Sequence, residues 1–262
     1  MKHARINFQG QDLAVTIDND GNFVTEDGVT ITNGQVSWLP PEHGIVVCLA
    51  LNYKSHVAQI ESRFHEAPHK APPKTPVMFI KTENTLTGNG RPVQLPSTAN
   101  CLQPGPSLAL VIGKTCCRIK VDEAFDYISG YTILNDFSLP EESYYRPPVR
   151  DKGYDSFGPI GPFIVDAADV SNPEALAVRT YVNGELRQEG NTSDLVWTIP
   201  EALAFISRVM TLQPGAIIAT GFPANRVNVG IGDEVVAEVD GVGRLVNRVV
   251  SESDYFAATE QG

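Results

Sequence analysis

The chain has 262 residues, 42% of them hydrophobic, which is enough for a sizeable core and at most two domains. Its formal net charge is −11 with no Lys/Arg cluster, which argues against nucleic acid or an anionic membrane surface as a partner. No apolar run approaches the roughly 18 residues of a membrane span, no apolar signal core follows Met1-Lys2-His3-Ala4-Arg5, and no Cys-x-x-Cys pair exists, so the expectation is a cytoplasmic protein with reduced thiols.

Frequent Gly and Pro point to a turn-rich, mostly β body with a few helices. Short alternating runs broken at Asn19-Asp20-Gly21, Glu26-Asp27-Gly28 and Asn33-Gly34 predict a small N-terminal β domain over 1–41, closed by Leu39-Pro40-Pro41. The body is then 42–262. Within it, Ile45–Leu51 reads as a buried strand, with Cys48 as a small hydrophobe inside it. Asn52–Gln59 reads as a loop turning into a short helix.

Residues 64–76 carry four prolines and predict an extended surface segment or lid. Strands follow at Val77–Lys81, Leu108–Ile112 and Gly130–Leu134, with a short helix at Asp122–Ile128 before the last of these. Further strands are expected at Pro162–Val165, Ala177–Val182, Glu185–Gln188, Val235–Val239 and Arg244–Val250, and Asn183-Gly184 is a two-residue hairpin turn. Thr198–Val209 has the helical spacing of Ile199, Leu203 and Ile206, with Pro200 tolerated near its start.

Three motifs mislead. His65-Glu66-Ala67-Pro68-His69 spells a zinc-protease pattern, but the two imidazoles share a face only on a helix, and Pro68 interrupts it. Gly113-Lys114-Thr115 imitates the tail of a P-loop without its upstream glycine. The glycine pairs Gly158/Gly161 and Gly241/Gly243 lack the strand-then-helix setting of a phosphate cradle.

The stretch with chemical promise runs from Ser107 to Phe157. An acid, Asp136, leaves an apolar strand, and sixteen positions later Lys152 lies in a turn-rich loop. Residue chemistry alone allows two readings: Asp136 caps a turn and Lys152 is solvated, or the pair belongs to a site.

The ordered segments Leu51-Asn52-Tyr53…His56, Phe79-Ile80-Lys81, Leu108–Lys114, Gly130…Asn135-Asp136, Lys152…Phe157–Pro162, Val182–Glu185 and Thr220-Gly221-Phe222-Pro223 resemble the fumarylacetoacetate hydrolase family over about residues 45–250. The pieces Leu139–Pro147 and Lys70–Lys74 are similar to the isomerase/decarboxylase branch of 4-hydroxyphenylacetate (homoprotocatechuate) catabolism, in its N-terminal half. The resemblance implies a mixed β-roll or sandwich, a homodimer or a heteromer with a related subunit, and a small-molecule dicarboxylate substrate that is a 2-oxo acid or its enol. It implies Mg²⁺ or Mn²⁺, a hard ion suited to carboxylate ligands. It gives Lys152, His56 and Asp136 catalytic roles, places Asp136 also as a metal ligand, and puts Tyr53, Lys81, Thr220 and Gly221 against the substrate.

The chain departs from that pattern at several points. The Glu-x-Glu metal positions are Gly105 and Ser107, the glutamate beside the lid histidine is Gln59, and a threonine position is Phe222. Glu141 and Glu142 read either as acid/base groups or as solvated loop charges. Three functional expectations follow. One is isomerisation or decarboxylation of a 2-hydroxy-dienoate dicarboxylate, with proton transfer by His56 and Lys152. The others are a partner subunit with a lost metal site, and a hydrolase or 2-oxo acid decarboxylase with a rebuilt one.

Overall fold

A strand that alternates apolar and polar residues buries one face, and a strand apolar throughout buries both. The run Pro106–Ile112, apolar except at Ser107, is of the second kind, with every residue buried. It lies inside a large sheet in the computed structural model, which describes residues 1–32, 34, 36–67, 71–140 and 147–259.

In chain order the strands are β1 (Lys2–Phe8), β2 (Gln11–Ile17), β3 (Phe23–Thr25), β4 (Thr30–Ile31), β5 (Ser37–Leu39), β6 (Val46–Ala50), β7 (Val77–Lys81), β8 (Leu86–Thr87) and β9 (Pro92–Leu95). They continue with β10 (Pro106–Ile112), β11 (Ile128–Asn135), β12 (Gly158–Asp166), β13 (Ala177–Val182), β14 (Glu185–Asn191), β15 (Ile217–Ala219), β16 (Glu234–Val239) and β17 (Gly243–Ser251). Among the described residues, twelve strands form one mixed sheet in the order β4-β3-β2-β1-β12-β11-β10-β15-β6-β7, with β5 beside β1 and β8 beside β12. Five form a second, β14-β13-β16-β17-β9. The expected mostly-β fold of mixed sheets is therefore present.

The period of two along β10 divides its side chains between two cores. Leu108, Leu110 and Ile112 meet Val178, Ala237 and Leu245 of the second sheet, with Leu203 and Ile206 from the helix Ile199–Val209. Ala109 and Val111 point the other way, with Cys48, Leu134, Ile160 and Ile217. Burial pushes the Cys48 thiol pKa up, as a small core hydrophobe requires. A separate small core of Ala4, Ile6, Val15, Phe23 and Ile31 holds β1–β4 together, and β1 pairs with β12 at Lys2↔Val165 and His3↔Ile164.

Two local expectations change. Residues Val121–Tyr127 form a 3₁₀ helix rather than an α-helix, and Ile128 already belongs to β11. A terminal helix, Glu252–Thr259, has no counterpart in the sequence reading because its apolar residues follow no helical stripe. The 3₁₀ turn Glu61–His65 ends within the zinc-protease lookalike, and Glu66 is extended, so no helix runs through it. Pro68 and His69 of that pattern lie outside the described residues.

The registers gather several strand ends at one place. Pro106 at the start of β10 faces Asn135 at the end of β11, and Ala219 at the end of β15 faces Ala109. β6 runs parallel to β15 and finishes at the same end. After β7 the chain returns to β12, where β8 pairs in parallel with Gly158 and Pro159. That return brings Lys81 beneath Phe157 and Asp136.

Candidate active site

Asn52 leaves β6 and stitches three segments together. Its Nδ2 donates to the carbonyls of Thr220 (2.9 Å) and Trp197 (3.2 Å), and its Oδ1 accepts from the Trp197 N–H at 2.9 Å. This fixes the entry to α1 (Lys54–Gln59), the helix that carries the buried His56. Tyr53, between them, is fully buried, and its hydroxyl has no hydrogen-bond partner among the described residues.

At the end of β15 the polar groups serve the scaffold. The Thr220 hydroxyl donates to the Leu108 carbonyl at 3.0 Å, and the Gly221 N–H donates to Ser107 Oγ at 3.1 Å. Gly221 has φ +99°, in the range that favours glycine, and a Cβ there would approach the Leu49 carbonyl at 3.1 Å. Gly105 is held on both sides: its N–H donates to Asn135 Oδ1 and its carbonyl accepts from the Asp136 N–H, each at 2.9 Å.

The sequence-predicted pair is real in space. Lys152, on α2 (Val149–Lys152), donates from Nζ to Asp136 Oδ2 at 2.6 Å, and Lys81 Nζ lies 2.9 Å from Oδ1. All three residues are at most 4% exposed. Lys81 also donates to the carbonyls of Phe157 (2.8 Å) and Lys152 (3.1 Å), so its ammonium is enclosed by acceptors. Burial acts to raise the Asp136 pKa, but Lys152, Lys81 and Arg226 outweigh it and hold the carboxyl at about 2. For Lys81 burial dominates and lowers its pKa, against the pull of Asp136.

Beside this cluster lies a cavity of about 400 Å³, whose lining includes His56, Arg63, Gln103, Phe222 and Arg226. That volume lies in the range of small-molecule sites. The Phe222 ring is the common neighbour. It meets the His56 ring edge-on at 5.4 Å, the Lys152 ammonium lies 5.4 Å from its centroid, and the Arg226 guanidinium lies 4.3 Å from it. Arg226 is fixed by its backbone partners: Nε donates to the Pro104 carbonyl at 3.1 Å, and Nη2 donates to the carbonyls of Gln103 and Asp136.

Gln59 accepts from the Asn225 N–H and donates to Asn225 Oδ1, both at 3.1 Å, which pins α1 to the loop that carries Phe222 and Arg226. Glu141 and Glu142 lie outside the described residues.

Arg63 and Arg226 had no signal in the sequence. Each is a single arginine in a segment without periodicity. Arg226 becomes a candidate only once Phe222 and Gly105 are known to touch.

The model of the fumarylacetoacetate (FAA) hydrolase C-terminal family matches residues 45–250. The chain belongs to that family. Among its relatives, the 4-hydroxyphenylacetate degradation bifunctional isomerase/decarboxylase of Salmonella dublin is 43% identical over 84% of this chain and 50% of its own length. The chain thus spans about half the length of the first curated relatives it matches.

Of solved FAA hydrolase relatives, the 5-carboxymethyl-2-hydroxymuconate delta-isomerase from Mycobacterium smegmatis is 33% identical with a TM-score of 0.83, covering 96% of this chain and 99% of that one. A maleylpyruvate hydrolase from Sphingobium sp. SYK-6, solved with manganese(II) and pyruvate, is 28% identical with a TM-score of 0.80, covering 96% and 99%. Metal binding therefore occurs within the family. Here, among the described residues, no three His, Cys, Asp or Glu side chains converge to hold an ion.

Proposed function

We propose that the chain is an isomerase acting on a 2-hydroxy-dienoate dicarboxylate, the enol of a 2-oxo acid. The observation that carries this reading is the cavity itself: an imidazole and two guanidiniums on its lining, beside a buried Lys152–Asp136–Lys81 cluster. The identity to a bifunctional isomerase/decarboxylase and the likeness to a muconate isomerase support it.

The reaction needs one proton removed from the enol oxygen and one added at the far carbon of the diene, so atoms and charge balance without an oxidant or reductant. His56 is assigned the proton transfers. Arg226 and Arg63 take the two carboxylates, guanidinium charge against carboxylate charge. Lys152, whose Nζ donates to Asp136, supplies positive potential for the oxygen as it becomes an enolate. Tyr53, Lys81, Thr220 and Gly221 are assigned positioning roles, because their polar groups are enclosed by or bonded to the scaffold. No step of this reading runs through Mg²⁺ or Mn²⁺.

The assay is loss of dienoate absorbance with purified protein, wild type beside His56→Gln and Lys152→Ala. The expected result is turnover by wild type and a fall of about 10²-fold or more in each variant. Variants as active as wild type would overturn the assignments.

A second reading, a weakly active partner subunit, is favoured by one observation: Gln59 spends its amide on Asn225 and offers no base. Absence of turnover that is restored on mixing with a related subunit would select it. On the same footing we propose that the protein is cytoplasmic and dimeric. Its four cysteines are unbonded, and among the described residues no helix is long and apolar enough to cross a membrane.

A further inference from the structure

The residues at the family's ion position do not fit an ion, and the misfit has a shape. A Cβ added at Gly105 would lie 2.8 Å from Phe222 Cδ1 and 2.9 Å from the Asp136 carbonyl oxygen, so this position has no room even for the first atom of a carboxylate side chain. Ser107, two residues on, has its hydroxyl committed to the scaffold: it accepts from the Gly221 N–H and donates to the Leu108 carbonyl at 3.1 Å. Asp136 has both oxygens against ammonium groups, at 2.6 and 2.9 Å, and a divalent ion would have to displace one of them. Mg²⁺ or Mn²⁺ favours several oxygen ligands with charge to match. This pocket instead offers an aromatic ring and a guanidinium.

We infer that Phe222 and Arg226 together replace the divalent ion, making a metal-independent site in which Arg226 grips the 2-oxo carboxylate end of the ligand. The ring fills the volume. The guanidinium brings the positive charge, and its bonds to the carbonyls of Gln103, Pro104 and Asp136 set its plane before the ligand arrives. Its stacking on Phe222 at 4.3 Å adds a second restraint. The guanidinium keeps its charge in a plane fixed by three backbone carbonyls, an arrangement a lysine cannot reproduce. The inference rests on the 2-oxo dicarboxylate reading only for the identity of the ligand. The exchange of ion for ring and guanidinium rests on this chain's geometry alone.

Oxalate is the probe, a compact mimic of a 2-oxo carboxylate. Chelator-treated full-length protein is titrated with oxalate by calorimetry, once in EDTA and once with excess Mn²⁺, while uptake of Mn²⁺ is followed by the loss of its free-ion EPR signal. The expected result is an oxalate affinity that agrees within about twofold in the two buffers once the Mn²⁺–oxalate complex in solution is subtracted with a protein-free control, with no Mn²⁺ taken up by the protein. Arg226→Gln should weaken oxalate by about 10- to 100-fold and Arg226→Lys should recover only part of the loss.

Stoichiometric Mn²⁺ uptake strengthened by oxalate would overturn the inference, and so would oxalate binding that appears only with Mn²⁺ or survives Arg226→Gln unchanged. Should Arg226→Gln fail to fold, the wild-type comparison still decides. Metal-independent oxalate binding without dienoate turnover would sustain this inference and reject the isomerase. Turnover that requires Mn²⁺ would do the reverse.

Discussion

Asp136 keeps its charge at a pH where an ordinary carboxylate is mostly protonated. Its pKa is about 2 in the folded protein against 3.8 for the ordinary group, so below pH 4 the unfolded chain binds a proton that the folded one refuses. The contribution to stability, on the order of 2 kcal/mol, is complete above about pH 4 and disappears as pH falls towards 2. Urea unfolding across that window should show the loss. Asp136→Asn should abolish this part of the pH dependence and, by leaving two buried ammonium groups without their partner, cost about 3–5 kcal/mol. Gly105→Ala tests the tightest contact of the site. It should cost about 1–3 kcal/mol, and Phe222→Ala should relieve it only in part, because the Asp136 carbonyl oxygen is backbone and stays. Thermal unfolding of the two single variants and the double variant measures both terms.

The elements that were legible in the sequence are those whose signal is local. Asn183 and Gly184 take positive φ values of 52° and 83°, the turn that an Asn-Gly pair between strands predicts. The helix Ile199–Val209 starts where its apolar spacing says, and Thr198 caps it: its hydroxyl accepts from the Glu201 N–H while the Glu201 carboxylate accepts from the Thr198 N–H at 3.0 Å. Thr198→Ala should therefore cost about 1 kcal/mol, read as a lower urea midpoint with unchanged slope. The site was legible to a lesser degree. Asp136 and Lys152 stood out as an acid and a lysine at turn-rich strand ends, and His56 came with the family resemblance. Arg226 was invisible because the hydrogen bonds that fix it, to the carbonyls of Gln103, Pro104 and Asp136, span 90 residues or more. Gln59 was read as a lost base, and the structure adds a use for it. Its amide needs a donor as well as an acceptor to hold Asn225, so Gln59→Glu should loosen α1 from the 222–226 loop and cost about 1 kcal/mol in urea unfolding.

At the scale of the whole molecule, two sheets share one core, and the small sheet portion over 1–41 adds its own. We propose those residues as a unit that nevertheless covers part of β12, since β1 is hydrogen-bonded along it at Ile164 and Val165. A chain shortened to 42–262 would expose that strand's edge, and the expected outcome is a fall in soluble yield and a loss of monodispersity in gel filtration. The chain spans about half the length of its first curated relatives, and sedimentation velocity at micromolar concentration tests the proposed dimer, with twice the chain mass as the expected result.

The tie made by Asn52 has a consequence for how the molecule comes into being. Its partners Trp197 and Thr220 lie 145 and 168 positions further along the chain. At cellular rates of synthesis the ribosome needs on the order of 10–30 s to supply them. β7 can pair with β6 early, but the other edge of β6, apolar from Val46 to Ala50, has no neighbour until β15 emerges. The nascent chain therefore carries a sticky half-finished sheet for most of its translation, and the pocket is among the last features to close.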